Sequence, residues 1–216
     1  MQKRRLITPR VKEIFVKYGV KRSLAAGELL VEKGNRANRV FFLVKGQVRT
    51  FCLSPAGDEI SLFYLGPGSL IGNEALMMNP NVLVSVAAIS RAEVYTMPPE
   101  RFLRLWKEKD LPLQDLIAHY VQRIALLSDY ICCSHFQDGD KRVAYFLYTC
   151  CASSGPVVRY THEQIGAITG ISRVSVSRIL GRFRRAGIIS QDYRRIQVLN
   201  PQGLSGVFSS LGYFLD

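Results

Sequence analysis

The sequence predicts an α+β protein with an N-terminal antiparallel β-barrel of the jelly-roll type, one long helix, and a C-terminal domain of short helices and a β-hairpin. Residues 27–98 contain short apolar runs separated by glycine-bearing turns. Residues 113–131 carry an apolar heptad repeat, and residues 161–199 carry two short helix patterns followed by a hairpin pattern. The predicted domains are a barrel with an N-terminal helix over residues 1–111, the long helix over residues 112–136 and the C-terminal domain over residues 140–216.

The barrel is predicted from the spacing of its apolar runs. These runs are short and cover residues 29–31, 40–44, 60–65 and 82–88. Tight turns require positive φ, which a glycine adopts without a Cβ clash. Glycines occupy the turns between the runs: Gly27, Gly34, Gly46, Gly57, Gly66, Gly68 and Gly72. Short strands joined by such turns are typical of a compact antiparallel barrel or sandwich.

The long helix is predicted from apolar residues at alternating steps of four and three. These residues are Leu113, Ile117, Tyr120, Ile124, Leu127 and Ile131, and together they are called the seam. The seam can pack on the protein's own barrel, but a strict 3.5-residue period is what a symmetric pair of helices requires. We therefore expect a homodimer. Residues 136–140 then break the helix as a hinge, and Asp140 is expected to cap a helix over residues 141–151.

The most informative stretch runs from residue 160 to residue 199. Thr161 and Gln164 have the spacing of a capping box that opens a short helix. Gly170 permits a sharp turn, and Ser172 can cap a second helix over residues 173–185. The expected inward face of this second helix is Val176, Ile179, Leu180 and Phe183. Two apolar runs, 188–189 and 196–199, then flank a turn and predict a β-hairpin.

The opposite face of the second helix is suited to DNA. Only a helix or a β-ribbon fits the major groove, where arginine pairs with guanine, serine permits close approach and an apolar side chain meets the thymine methyl. A helix–turn–helix with a following hairpin wing supplies this geometry. The predicted DNA contacts are Thr161, Ser172, Arg173, Val174, Ser175, Ser177, Arg178, Arg182 and, in the wing, Arg194.

The distribution of charge supports the same interpretation. The formal net charge is +12, which favours an anionic partner such as nucleic acid or an acidic membrane surface. Much of the excess lies in residues 172–195, where seven arginines face one acid, so DNA is favoured over a membrane. A second basic cluster in residues 1–22 has no assigned role. No apolar stretch is long enough for a bilayer span, and we expect a cytoplasmic protein without a membrane partner.

The cysteines give no sign of a metal site or a catalytic site. The five cysteines are Cys52, Cys132, Cys133, Cys150 and Cys151, an odd number without C-x-x-C spacing. We expect buried thiols, no metal or other cofactor, and no enzymatic activity, because none is paired in sequence with a base. One alternative stays open, a redox-responsive regulator that uses Cys132 and Cys133 or Cys150 and Cys151.

Residues 22–205 resemble the CRP/FNR family of bacterial transcription regulators. The resemblance is carried by the glycine-bearing segments 24–34, 40–46 and 66–72 and by the helix–turn–helix of residues 163–178. It implies a barrel like that of cyclic-nucleotide-binding domains, a dimerisation helix and a C-terminal winged helix–turn–helix. It also implies an effector-controlled regulator, with transcription activation and RNA polymerase as a further partner expected from the family.

Several positions depart from the family pattern. Cyclic-nucleotide-binding members hold the ribose with a glutamate and the phosphate with an Arg–Ser/Thr pair, where this chain has Asn73, Val82 and Leu83. A buried phosphate without a cation is unfavourable, so cyclic AMP is not expected. Iron–sulfur members hold their cluster with cysteines near the N-terminus, and residues 1–51 contain none. Haem members need axial ligands, and His119 is interpreted instead as a packed or solvated residue.

The remaining expectations concern the operator and the effector. Many relatives have glutamate where this chain has Val174, so an A·T-rich site is expected, as in the similar regulators of halogenated-phenol respiration. Two protomers predict a palindromic operator. An apolar or aromatic effector is expected between the barrel and the long helix. Its predicted contacts are Phe63, Asn73, Glu74, Val82, Leu83, Val84, Tyr120, Ile124 and Leu127.

Overall fold

The computed structural model describes residues 9–77, 81–192 and 195–208, and of residues 153 and 154 only the backbone. Its contacts divide the chain after Ile124, inside the long helix, into an N-terminal and a C-terminal unit. The N-terminal unit contains the predicted barrel, and the C-terminal unit contains the predicted helix–turn–helix. Both units are described separately below.

The N-terminal unit begins with a helix and continues as eight strands. Helix α1 (Pro9–Tyr18) is followed by β1 (Val20–Leu24), β2 (Leu29–Val31), β3 (Val40–Lys45), β4 (Val48–Leu53), β5 (Glu59–Leu65), β6 (Leu70–Ile71), a 3₁₀ turn (Asn73–Leu76), β7 (Ser85–Ala88) and β8 (Ala92–Met97). Two four-stranded antiparallel sheets result, in the orders β1-β8-β3-β6 and β2-β7-β4-β5. This arrangement confirms the predicted antiparallel jelly-roll.

Two apolar clusters stabilise this unit. One cluster holds side chains from both sheets, including Leu43, Val48 and Val86. The other includes residues of α1 and of helix α2 (Pro99–Glu108), and in it the Phe15 ring lies 5.5 Å from the ring centroids of both Phe42 and Phe102. Burial of these large aromatic rings attaches both helices to the barrel.

Two details of the barrel differ from the prediction. The apolar run 82–88 forms a strand only from Ser85, because Val82 instead packs into the core while Leu83 is 67% exposed. Gly66 has no positive φ, unlike the other predicted turn glycines. At Gly72 the requirement for glycine is strict, because φ is 76° and an added Cβ would lie 2.6 Å from the Arg39 carbonyl oxygen.

The long helix α3 (Leu113–His135) confirms the long helix that the sequence predicts, and its 23 residues lie within the expected range 112–136. All six seam residues are between 40% and 63% exposed in the single chain. Among the described residues the seam thus stays substantially exposed, which weakens the explanation that it packs on the protein's own barrel.

The C-terminal unit continues with helices and a small sheet. Its elements are α4 (Gly139–Ser154), β9 (Val157–Val158), α5 (His162–Thr169), α6 (Arg173–Arg185), β10 (Ile189–Asp192), β11 (Arg195–Val198) and α7 (Pro201–Phe208). The strands form an antiparallel sheet in the order β10-β11-β9. The core includes α4, α5, α6 and α7, with Leu147, Ile165 and Leu180 fully buried.

The connection between α3 and α4 differs in detail from the prediction. Helix α4 begins at Gly139 after Asp138, so the predicted cap at Asp140 was wrong. Asp140 instead lies in the first turn of α4 and forms an ion pair with Arg182. Arg142 fixes the connection, since its Nε donates to the Phe136 carbonyl at 2.6 Å and its Nη1 donates to the Thr169 carbonyl at 3.1 Å.

Candidate nucleic-acid interface and effector site

The helix–turn–helix is stabilised by the caps that the sequence predicts. The Thr161 hydroxyl accepts from the Gln164 backbone N–H at 3.2 Å, and the Gln164 side-chain oxygen accepts from the Thr161 N–H at 2.8 Å. This reciprocal pair is a capping box and begins α5. Gly170 has φ 67° and ends α5, and an added Cβ at Gly166 would lie 2.5 Å from the Ile171 carbonyl oxygen. Both glycines therefore permit the tight turn between α5 and α6.

Helix α6 has one buried and one exposed face. The Ser172 hydroxyl caps it by accepting from the Ser175 backbone N–H at 3.1 Å. The inward residues Val176, Ile179, Leu180 and Phe183 are buried, as predicted. Val174 is 70% exposed. The other residues of the predicted outer face are exposed or, for Ser175, half-buried: Arg173, Ser175, Ser177, Arg178 and Arg182.

The exposed arginines are not equivalent. Arg182 forms an ion pair with Asp140, so its guanidinium already has a carboxylate partner within the unit. None of the ion pairs in residues 9–77, 81–192 and 195–208 involves Arg173 or Arg178. Their charges are accordingly more available to an external anion than that of Arg182.

The predicted wing is an antiparallel hairpin. Strands β10 and β11 pair with Ile189 opposite Val198 and with Asp192 opposite Arg195. Residues 193–194, and with them the predicted contact Arg194, lie outside the described residues. The Gln191 amide nitrogen lies 2.6 Å from His162 Nε2, and loss of water on burial lowers the His162 pKa, so the neutral ring accepts this hydrogen bond and joins α5 to the wing. Strand β9 was not predicted, because its two residues are too short to show a period.

In the N-terminal unit, the structure brings together polar residues from the barrel and from α3. The Asn73 amide donates to His119 Nε2 at 2.9 Å. The Arg123 guanidinium donates to the Leu70 carbonyl at 3.0 Å and lies 5.6 Å from the centre of the Phe63 ring. Asn73 and Phe63 were predicted from sequence, whereas His119 was interpreted as only packed or solvated and Arg123 was missed. His119 and Arg123 are four residues apart and lie outside the seam, so the sequence could have indicated that they share one face of α3.

The other predicted effector contacts differ in burial and do not form one surface. Val82 is a core residue and Leu83 is largely exposed, so they do not form one surface. Val84 is half-buried, and the Glu74 carboxylate accepts from the Leu83 backbone N–H at 3.4 Å. Tyr120 and Ile124 are exposed, and Leu127 lies on the part of α3 that belongs to the other unit. The prediction therefore combined residues in several environments.

Asn73, His119 and Arg123 are together called the polar group. Burial sets the charge states of its two titratable side chains, His119 and Arg123. Burial lowers the pKa of His119 to about 3, so its imidazole is neutral at pH 7. Burial also lowers the pKa of Arg123 to about 10, which still leaves the guanidinium protonated at pH 7. The Asn73 Oδ1 atom is buried and has no hydrogen-bond partner among the described residues. This group therefore combines one cation with one unsatisfied acceptor.

A cavity of about 290 Å³ opens elsewhere on the barrel. Val82 belongs to its lining, but the other predicted effector contacts do not. The remaining lining residues are Arg22, Leu29, Leu30, Val31, Glu32, Asn35, Arg36, Ala37, Asn38, Arg39, Phe41 and Gly72. The cavity is thus distinct from the polar group on α3.

Two of the five cysteines, Cys133 and Cys151, are buried thiols. Cys133 donates to the Arg142 carbonyl at 3.5 Å, and burial raises its pKa to about 11. Burial also raises the pKa of Cys151. A reactive cysteine needs a lowered pKa, so the redox alternative is not favoured. The part of the chain that the structure describes contains no cluster of three or more metal-ligating His, Cys, Asp or Glu side chains.

A membrane span needs a helix that is both long and apolar. Within residues 9–77, 81–192 and 195–208, no helix combines the length and the hydropathy that such a span needs.

The fold and its two surfaces define a winged-helix DNA-binding regulator with an effector-binding barrel. Residues 21–109 match the family of cyclic nucleotide-binding domains, and residues 141–207 match that of Crp-like helix–turn–helix domains. The chain belongs to the CRP/FNR family of transcription regulators. Its relatives are regulators and not enzymes, which confirms that prediction.

Three similar proteins illustrate the relationship. The chain is 26% identical over 184 residues to a cyclic AMP receptor protein of Thermus thermophilus, covering 85% of each chain. The structure of FixK2 from Bradyrhizobium japonicum superposes with a TM-score of 0.71 at 22% identity and covers 88% of this chain and 96% of that chain. A structure of CprK complexed with OCPA gives a TM-score of 0.70 at 20% identity, covering 92% of this chain and 94% of that chain.

Proposed function

We propose that this chain is a homodimeric, sequence-specific transcription regulator whose DNA affinity is controlled by a small-molecule effector. The observation that carries the proposal is helix α6, which is capped by Ser172, buried on one face and lined on the other with Arg173, Val174 and Arg178. That outer face has the side chains and the curvature that the major groove accepts. The proposed DNA contacts remain those predicted from sequence, with Arg182 a weaker candidate because Asp140 pairs with it.

The dimer is part of this proposal. The six seam residues follow a heptad repeat and stay exposed in the single chain, although apolar side chains of that size gain free energy when buried. A second copy of the same helix covers such a seam with matching knobs and holes. The proposed domain division is a barrel over residues 1–111, a dimer helix over residues 112–136 and a DNA-binding domain over residues 140–216, with the hinge at residues 136–140.

The operator follows from the dimer. Two α6 helices related by a two-fold axis enter successive major grooves about 34 Å apart, so the operator is palindromic. Val174 offers no acceptor to cytosine and instead fits a thymine methyl, which makes each half-site A·T-rich. RNA polymerase is the further partner proposed for an activator at such a promoter. The location follows from the DNA target and is the cytoplasm.

The effector site is proposed at the face of the barrel that meets α3. Asn73, Val82 and Leu83 stand where cyclic-nucleotide-binding members have their ribose and phosphate ligands, and they supply no cation. Cyclic AMP is therefore not the proposed effector. An effector acts only if it binds one arrangement of the DNA-binding domains more tightly than the other.

The experiment is selection of DNA sites from a random pool by the full-length protein, followed by sequencing. The expected result is an enriched, A·T-rich palindrome whose half-sites are about 10 base pairs apart. The Arg173→Ala, Arg178→Ala double variant is the matched control and should enrich no palindrome, although it keeps its other basic side chains. Sequence-indifferent binding by the wild-type protein would contradict the proposal.

A further inference from the structure

Arg123 is a charged side chain of the N-terminal unit that has no carboxylate partner. Among the described residues, no acid lies within ion-pair distance of it, and the hydrogen bond that it donates goes to the Leu70 carbonyl. A guanidinium has five N–H donors and binds planar oxyanions in pairs. The Glu74 carboxylate lies near enough to raise the pKa of Arg123 but forms no ion pair with it. Removing a guanidinium from water without a paired carboxylate is unfavourable, so its retention here requires a reason.

Asn73 presents a second unsatisfied group on the same side of α3. Its amide nitrogen donates to His119 Nε2, which fixes the orientation of the amide and leaves the buried Oδ1 without a partner. His119 and Arg123 are four residues apart on one helix, and their side chains therefore lie on the same face. Buried amide oxygens are normally paired, so Oδ1 calls for a donor from outside the described residues.

Two neighbours limit what can bind there. Glu74 lies near enough to raise the pKa of both Arg123 and Tyr120, and this negative charge disfavours a doubly charged ligand. Phe63, against which Arg123 packs, offers an apolar surface. The group therefore fits a single negative charge, a hydrogen-bond donor and an apolar or aromatic body.

We infer that the effector is a small organic acid, whose carboxylate binds the Arg123 guanidinium and whose hydroxyl or N–H group donates to Asn73 Oδ1. Cyclic-nucleotide-binding members use a cation on the barrel, where this chain has Val82; here the cation lies on α3. The inference rests on the proposed function, because it names the effector class for the proposed site. It also sharpens the sequence prediction of an apolar or aromatic effector by adding a charge.

The test is thermal unfolding of the full-length protein without DNA, in benzoate or in each of the three hydroxybenzoates, against chloride at equal ionic strength. We expect carboxylates to raise the Tm by about 3–6 °C at roughly tenfold excess over Kd, with one hydroxybenzoate more effective than benzoate. The methyl esters, which carry no charge, should give no rise. The rise should be lost in Arg123→Met and kept in Arg101→Met, where an exposed arginine of the same unit is removed.

A second measurement separates a binding role from a structural one. Without any organic acid present, Arg123→Met should unfold at the same temperature as the wild-type protein or higher, because it removes a largely buried charge that no carboxylate pairs with directly. A Tm lowered by several degrees would show that Arg123 is structural and overturn the inference. Equal stabilisation by carboxylates and chloride would overturn it too. Site selection on random DNA tests the proposed function independently, since Arg123→Met leaves α6 intact.

Discussion

Helices α3 and α6 are both amphipathic, but the apolar face of α6 is buried and that of α3 is exposed. Helix α6 buries Val176, Ile179, Leu180 and Phe183 within its own unit. Helix α3 leaves all six seam residues 40–63% exposed. The apolar face of α6 thus has its partner in the same chain, whereas the seam of α3 is only partly covered by the residues that the structure describes. The difference separates a face that holds a fold together from one that is available for assembly.

The largest effect is expected from the buried face. Leu180→Ala removes a fully buried side chain from the core of the C-terminal unit and leaves a cavity. We expect a loss of about 2–5 kcal/mol in the free energy of unfolding, measured by urea denaturation. Leu199→Ala is the control, because that leucine is 53% exposed and should cost far less. Similar losses for both variants would show that burial in the core is not what makes Leu180→Ala destabilising.

A charge introduced into the exposed seam should prevent dimerisation and leave the folding of each chain unchanged. Ile124→Glu places two like charges against each other in a symmetric helix pair, and we expect about 2 kcal/mol or more against dimerisation. Sedimentation velocity should then find monomers, with the far-ultraviolet circular dichroism of the wild-type protein retained. Ala118→Glu, on the other side of α3, should remain dimeric. A dimeric Ile124→Glu would place the dimer interface elsewhere.

The outer face of α6 allows a finer distinction between readout and attraction. Arg178→Ala should weaken binding to the selected operator by about 1–3 kcal/mol and relax base choice at one position. Arg194→Ala in the wing should weaken all sequences alike and reduce the salt dependence. Fluorescence anisotropy on operator and random duplexes measures both effects. Equal losses on the two duplexes for Arg178→Ala would remove its role in base readout.

A pH titration tests the neutral state of His119. Its folded pKa of about 3 lies below the unfolded value of 6.5, so the unfolded chain binds more protons between these limits and stability falls as the pH decreases through this window. The maximum slope expected is about 1.4 kcal/mol per pH unit. His119→Gln should flatten the dependence of unfolding free energy on pH, and His135→Gln, an exposed residue of α3, should leave it unchanged. An unaltered slope in His119→Gln would mean that the imidazole is not the titrating group.

The smallest effect is expected from the ion pair between Asp140 and Arg182. Both side chains are more than 40% exposed, and such solvent-exposed pairs contribute about 0.2–1 kcal/mol. A double-mutant cycle with Asp140→Asn and Arg182→Gln measures their coupling in unfolding. On DNA, Asp140→Asn should increase affinity slightly, because it frees a cation and removes an acid. A decrease would show that the pair holds α6 in its binding orientation.

Local sequence was sufficient where short-range geometry decides the structure. The capping box at Thr161, the left-handed Gly170 and the Ser172 cap were each predicted because their partners lie within a few residues. Prediction was weaker where the partner is distant in sequence. Asp140 was expected to cap a helix and instead pairs with Arg182, and the run beginning at Val82 was expected to be a strand. Arg123 was missed because its environment is built from residues around positions 63, 70 and 74.

By itself, the sequence determined the order of barrel, long helix and winged helix–turn–helix, because periods of two and 3.5 residues and local caps are written in consecutive residues. It also determined that residues 172–195 carry seven arginines and one acid, one of two basic clusters in the chain. Only the tertiary structure decided that, among the described residues, the seam stays exposed, Arg123 forms no ion pair and Asn73 Oδ1 has no hydrogen-bond partner. Burial and hydrogen-bond satisfaction depend on residues that are far apart in the chain, and no local pattern records them.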